Sequence, residues 1–201
     1  MAYARVVLAT GNAGKLAEMR RILADARVPT ELLGLGDLPP YPEPRETGAT
    51  FAENALLKAR ACAAATGLPA IADDSGLTVD ALNGMPGILS ARWSGQHGDD
   101  VANLRLLLSQ LAEVPDERRG AAFVCAAALV DPTTMPGGDR VVEARWPGSI
   151  VTEPRGTNGF GYDPIFRPDG EDRTSAEFPA GEKDRMSHRG QAFRELVRLL
   201  V

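Results

Sequence analysis

Arg5-Val6-Val7-Leu8-Ala9-Thr10-Gly11-Asn12-Ala13-Gly14-Lys15 is the stretch that decides the class of fold. Arg5 to Ala9 is a short aliphatic run and reads as a buried strand. Gly11 and Gly14 interrupt it, and from Lys15 to Ala26 the apolar residues Leu16, Met19 and Leu23 recur at helical spacing. A strand that turns directly into a helix is the opening unit of an α/β protein. The same geometry places backbone amides and the positive end of a helix dipole where an anion can sit, and Lys15 adds a full positive charge. A Walker loop requires G-x-x-x-x-G-K-[ST]. Here the glycines are three apart and Leu16 follows Lys15, which disfavours a Walker-type NTPase or kinase. Taken alone, the segment is equally compatible with a plain turn in which Gly11 and Asn12 supply awkward backbone angles.

Working outward, Glu31 to Leu35 reads as a second strand beyond Pro29. Pro39 to Pro44 carries four prolines and Tyr41, an exposed irregular connection whose mobility would suit a lid. Thr50-Phe51-Ala52-Glu53 has the capping-box pattern and opens a helix to Thr66, with Gly67 and Pro69 as stop signals. Ala70-Ile71-Ala72 is then a short strand that ends in Asp73-Asp74-Ser75-Gly76. Val101, Leu104, Leu108 and Leu111 share one face of a helix after Asp99-Asp100. Ala121 to Val130 and Val141 to Trp146 read as paired antiparallel strands, flanking a turn that Pro136-Gly137-Gly138 lengthens. A last helix, Arg189 to Leu200, presents Phe193, Leu196, Val197 and Leu200 on one side. The expectation is an α/β fold in a single domain, 1–201, with a mixed central β-sheet flanked by helices.

Composition narrows the function. A chain of 201 residues that is 44% hydrophobic and 24% charged can bury a core without staples. Its net charge of −5 argues against a nucleic-acid partner, so any anionic ligand must meet a local basic site. Cys62 and Cys125 lie far apart with no CxxC pair, which fits reduced thiols in a cytoplasmic protein rather than a zinc site. Val6 to Ala9 is too short for a signal peptide, and no stretch is long enough to span a membrane.

Three further clusters carry chemistry. Adjacent carboxylates at Asp73 and Asp74 are suited to binding magnesium and orienting water, and Glu46 in Arg45-Glu46-Thr47-Gly48 offers another ligand. Neighbouring strand residues point in opposite directions, so only one of the two aspartates should face the metal. Adjacent acids also serve as helix caps and turn formers. Gly156-Thr157-Asn158-Gly159-Phe160-Gly161-Tyr162-Asp163-Pro164 packs three glycines and two aromatic rings into nine residues. Glycines let backbone approach a ligand and an aromatic face stacks on a base; alternatively one ring plugs the core. Glu182-Lys183 and Ser187-His188-Arg189-Gly190 bring Lys183, His188 and Arg189 together, or else form solvated charge beside a serine cap. His97 reads as exposed and inert, and Arg92 as a contact for phosphate, a carboxylate or a partner subunit.

Leu8-Ala9-Thr10-Gly11-Asn12 with Lys15, Glu46-Thr47-Gly48 with Phe51 and Glu53-Asn54-Ala55, Ala72-Asp73-Asp74-Ser75-Gly76-Leu77, Pro86-Gly87, Ser90-Ala91-Arg92, Gly159-Phe160-Gly161-Tyr162-Asp163-Pro164 and Ser187-His188-Arg189-Gly190 occur in order along nearly the whole chain. In this set the sequence resembles the Ham1-like family of non-canonical purine nucleoside triphosphate pyrophosphatases. The resemblance implies Mg2+-dependent hydrolysis of ITP, dITP and XTP at the α–β link, giving the monophosphate and pyrophosphate and cleansing the nucleotide pool. It implies that Thr10, Gly11, Asn12, Ala13, Gly14, Lys15 and Lys183 hold the triphosphate. Asp74 would be the catalytic carboxylate and a metal ligand, with Glu46 as the second ligand. Ser75, Phe160, Gly161, Tyr162 and Asp163 would line the nucleotide site, with His188 and Arg189 near the base. A homodimer and two lobes with an active-site cleft between them are also the family's features. The proline content of 39–44 and the lengthened turn at 136–138 depart from the family's pattern. Rival readings are a Maf-like pyrophosphatase of modified pyrimidine nucleotides and a nucleotide sensor without turnover; the acidic set Glu46, Asp73 and Asp74 argues against the sensor.

Overall fold

Val6, Val7 and Leu8 are fully buried, as an uninterrupted aliphatic run requires when both faces of its strand are covered. The computed structural model describes residues 3–134 and 137–200, so Pro136 in the expected turn lies outside the described residues. The elements run β1 (Arg5–Leu8), α1 (Ala13–Asp25), β2 (Glu31–Gly34), α2 (Phe51–Thr66), β3 (Ala70–Val79), α3 (Asp100–Gln110), β4 (Gly120–Val130), β5 (Arg140–Ile150), β6 (Phe166–Pro168), α4 (Ala180–Met186) and α5 (His188–Val197). The sheet has the order β2-β1-β3-β4-β5-β6. β1 is parallel to both β2 and β3, whereas β5 and β6 are antiparallel, which makes the sheet mixed as expected.

The chain forms two compact units. Met1–Asp74, Cys125–Ala144 and Arg189–Val201 make one, and Ser75–Val124 with Arg145–His188 make the other. In the first, Met19, Ile22 and Leu23 of α1 and Phe193, Leu196 and Val197 of α5 pack with Val6, Leu8 and Ile71. In the second, Leu104, Leu107 and Leu111 pack with Leu77, Phe123, Trp146 and Phe166. Cys62 and Cys125 are both buried and free.

Several local readings change. β3 does not stop at Ala72 but continues through Asp73 and Asp74 to Val79. Charge need not end a strand when each buried carboxylate meets a cation, and both do here. Val101 is 58% exposed, because α3 buries Asn103, Leu104 and Leu107 and this phase turns the first helical residues outward. The Thr50 hydroxyl accepts from the Glu53 amide, but the Glu53 carboxylate accepts from the Ala49 amide rather than from that of Thr50. The cap therefore extends one residue into the preceding segment. A short helix, α4, covers Lys183, where sequence reading placed no regular element.

The two faces predict opposite mutational outcomes. Phe193→Ala should destabilise the protein by about 3–5 kcal/mol in urea unfolding, since it empties a fully buried site. Val101→Ala should stay within about 0.5 kcal/mol of the parent, whereas the sequence-level helix face would have given it a core-sized loss.

Candidate active site

The turn between β1 and α1 is an Asn-capped helix start. Asn12 Oδ1 accepts from the amides of Gly14 (2.8 Å) and Lys15 (3.3 Å), and the Asn12 amide donates to Thr10 Oγ1 at 3.2 Å. Three of the amides that sequence reading offered to an anion are thus taken by the turn itself. Among the described residues, the Gly11 and Ala13 amides donate to no protein acceptor, and both residues are exposed. Lys15 leans the other way: its Nζ donates to Asp73 Oδ1 and Oδ2 at 3.0 and 2.8 Å.

Strand alternation separates the two aspartates as expected. Asp73, with a side chain only 1% exposed, meets Lys15 on one side and Arg189 Nε at 3.2 Å on the other. Arg189 in turn lies 3.7 Å from Glu18 of α1. Burial pushes the Asp73 carboxyl up, but Lys15, Arg189 and Lys58 outweigh it and hold it well below the usual carboxylate range. Asp73 is therefore a brace between α1, β3 and α5 that stays ionised at neutral pH.

Asp74 is placed differently. Its Oδ1 accepts from Lys58 Nζ at 3.0 Å, its Oδ2 accepts from Asn54 Nδ2 at 3.2 Å, and the same Lys58 ammonium reaches Glu46 at 3.0 Å. Burial raises the Asp74 carboxyl; Lys58 opposes the shift and Glu46 reinforces it, and the net direction is upward. Burial lowers Lys58, but Asp74, Asp73 and Glu46 more than restore it, so it stays charged. The two carboxylates singled out as metal ligands thus converge on one cation. They are hard oxygen donors that share one positive charge, which suits Mg2+, an ion commonly held by one or two carboxylates plus substrate phosphates. No three His, Cys, Asp or Glu side chains among the described residues form a metal-binding group by themselves. The protein's share would be Glu46 and Asp74.

Lys58 escaped sequence reading, and Asn54 entered it only within the Glu53-Asn54-Ala55 motif, with no role assigned. Both sit in α2, an Ala- and Leu-rich helix, four residues apart and hence on one face. Asn54 is fully buried. A polar pair at i and i+4 in a helix of this composition was the available signal. Asn54 Oδ1 also accepts from the Gly48 amide at 2.8 Å. A Cβ on Gly48 would lie 2.7 Å from that oxygen and 2.7 Å from Glu53 Cβ, so the Glu46-Thr47-Gly48 motif needs its glycine for this approach.

The second unit holds the remaining predicted residues. Asp163 is buried and accepts from the Ser175 hydroxyl, the Phe160 amide (2.9 Å) and the Lys183 ammonium. Gly159 has φ +78°, and a Cβ there would strike the Asp163 carboxylate. The Gly161 amide donates to Asp100 at 2.8 Å. The two rings of this loop divide as the alternatives allowed. Tyr162 is buried, donates its hydroxyl to the Ser90 carbonyl at 2.9 Å, and is raised by burial. Phe160 is 52% exposed, and its ring lies 5.8 Å from Lys183 Nζ. His188 is buried and stacks on Phe123 with centroids 4.9 Å apart. Ser75 is half-buried on β3, and His97 is exposed.

Comparison with known proteins extends this picture. Residues 6–199 match the Ham1 family. The chain is 62% identical over 203 residues to a dITP/XTP pyrophosphatase of Nocardia farcinica, covering 100% of this chain and 97% of that protein. It is also 62% identical to the dITP/XTP pyrophosphatase of Streptomyces coelicolor, over 96% of this chain and 95% of the relative. Among solved structures, a HAM1 protein from Coxiella burnetii superposes with a TM-score of 0.89 at 43% identity, covering 98% of each chain. A nucleoside-triphosphatase / dITP/XTP pyrophosphatase from Mycobacterium abscessus gives 0.79 at 58% identity, over 96% of this chain and 98% of that one.

The opposite shifts of two adjacent aspartates predict opposite stability effects, measured by urea unfolding in metal-free buffer. Asp73→Asn should cost about 3 kcal/mol at pH 7, because it leaves Lys15 and Arg189 without their buried partner. A depressed carboxyl contributes stability that is present above its unfolded pKa of about 3.9 and is lost as pH falls through the folded value, so this gap should begin to narrow below about pH 4. Asp74→Asn should leave stability unchanged or raise it at pH 7, since a carboxyl with a raised folded pKa loses stability as pH rises. Equal losses from both variants would refute the division of roles.

Proposed function

The chain belongs to the Ham1 family, and from that membership we propose that it is a nucleoside triphosphate pyrophosphohydrolase acting on non-canonical purine nucleotides. Its reaction splits ITP, dITP and XTP at the α–β link into the monophosphate and pyrophosphate, and so keeps those bases out of DNA and RNA. The printed activity of the relatives, dITP/XTP pyrophosphatase, supports the substrate class. The observation that carries the chemistry is the convergence of Glu46 and Asp74 on a single cation.

In this reading Glu46 and Asp74 would hold Mg2+, which when bound would acidify water and offset phosphate charge. Asp74 takes the proton of the attacking water. Lys15 and Lys183 stabilise the negative charge that grows on the departing pyrophosphate, a contribution made mainly in the transition state. The exposed amides of Gly11 and Ala13, with the rest of Thr10 to Lys15, cradle phosphate oxygens at the helix start. Phe160 offers its exposed ring to the base, Ser75 and Gly161 to Asp163 line the nucleotide, and His188 and Arg189 keep their assignment beside the base, Arg189 also bracing Asp73.

Selection for hypoxanthine and xanthine rests on the 6-oxygen, which accepts hydrogen bonds where the amino group of adenine donates them. A site built of donors rejects adenine because mismatched buried polar groups are costly. The reading further takes the enzyme to be a cytoplasmic homodimer with no nucleic-acid or membrane partner. No helix among the described residues is long and apolar enough to cross a membrane.

Incubation with ITP and Mg2+, assayed for pyrophosphate against orthophosphate, should yield pyrophosphate. The kcat/KM for ITP and XTP should exceed that for ATP and GTP by about a hundredfold or more. Asp74→Asn should lower kcat by about 10²–10⁴-fold in a folded protein. Release of orthophosphate, or near-normal turnover by Asp74→Asn, would overturn the assignment.

A further inference from the structure

Asn54 is a fully buried side chain whose two ends are both committed. Its carbonyl oxygen accepts from the Gly48 amide at 2.8 Å, and its amide nitrogen donates to Asp74 Oδ2 at 3.2 Å. Reversing the amide would set a carbonyl against a carboxylate and an NH2 against an N–H, so these partners fix its orientation. Gly48 lies two residues after Glu46. Asn54 therefore joins the backbone that carries one carboxylate to the side chain of the other.

The neighbouring contacts make this tie specific. The segment from Glu46 to Thr50 has no helix or strand of its own, yet it runs back along α2 through paired contacts: Glu46 with Lys58, the Gly48 amide with Asn54, and the Ala49 amide with Glu53. Of these partners only Asn54 and Lys58 also reach Asp74. Lys58 bonds the carboxylates themselves and competes with any cation they bind. Asn54 leaves Asp74 Oδ1 and the Glu46 side chain untouched. It occupies Asp74 Oδ2 and so sets Oδ1 as the oxygen that meets the Lys58 ammonium shared with Glu46.

We infer that Asn54 is the positioning residue that holds Glu46 and Asp74 at the spacing of one shared divalent cation, acting through the Gly48 amide and Asp74 Oδ2. This rests on the metal role of those carboxylates in the proposed function. Partners that orient metal ligands in this way typically control metal affinity by 10–100-fold. The close fit at Gly48 belongs to the same device, since a side chain there would push the segment off Asn54.

The test compares the parent with Asn54→Ala and Asn54→Leu, the second keeping the buried volume filled so that a cavity cannot account for the result. Two quantities are read: hydrogen exchange at the Gly48 amide in metal-free protein, and the Mg2+ concentration for half-maximal pyrophosphate release from ITP. Both variants should speed Gly48 exchange by about tenfold or more and raise the Mg2+ half-saturation by about 10–100-fold, with most of kcat recovered at saturating Mg2+. Unchanged Mg2+ half-saturation in a variant that has merely lost stability would overturn the inference, because a packing role lowers the amount of folded enzyme without moving the metal requirement. Unchanged Gly48 exchange would overturn it too. If the parent releases no pyrophosphate at any Mg2+ concentration, the proposed function fails instead, and Gly48 exchange still decides whether Asn54 holds the segment.

Discussion

The alternation of side chains along β3 sends two adjacent carboxylates to opposite environments, and the organisation of the first unit follows from it. Asp73 turns to α1 and α5, where Lys15, Arg189 and Glu18 form a chain of ionic contacts. Asp74 turns to α2, where Asn54 and Lys58 receive it. One aspartate at this position could not do both. A brace must stay ionised and fully paired, whereas the burial of Asp74 works against its charged form. Placing them in sequence on a strand gives both environments without a loop.

This division assigns the energetic consequences. Removing one member of a buried pair is destabilising because the other is left without compensation, and Asp73 has two cationic partners anchored on different helices. Asp74 carries the opposite sign: its burial works against its charged form, so the fold is less stable with it ionised. Local destabilisation of this kind is common where chemistry is done. It is tolerable here because Asn54 and Lys58 satisfy the carboxylate and because a well-packed apolar core surrounds α1 and α5.

The strand and helix pattern was legible because it is written in local periodicity and capping. The β1 turn, the Thr50 cap and the apolar face of α5 each depend on residues within a turn or two of one another. Partner choice was not legible, because it depends on contacts between distant parts of the chain. Lys15 meets Asp73 across 58 residues, and Arg189 meets it across 116. Reading Lys15 as a phosphate ligand and the turn amides as open did not reveal that Asp73 and Asn12 engage them. Lys58 and Asn54 were hidden for a related reason: inside an Ala-rich helix a polar residue is read as solvent-facing unless the facing strand is known. The early end assigned to β3 came from treating charge as a strand terminator, a rule that fails when the cations arrive from elsewhere in the fold.

The cations of the assembled cluster are divided between the two aspartates. Lys15 and Arg189 meet Asp73, Lys58 joins Asp74 to Glu46, and Arg189 also reaches Glu18. Lys58 holds Glu46 and Asp74 together with one charge and three N–H donors, whereas a hard dication draws on oxygen ligands alone. In the proposed function the carboxylates of β3 and of the segment before α2 would recruit that ion, and the ion together with the Asn12 turn would receive the triphosphate.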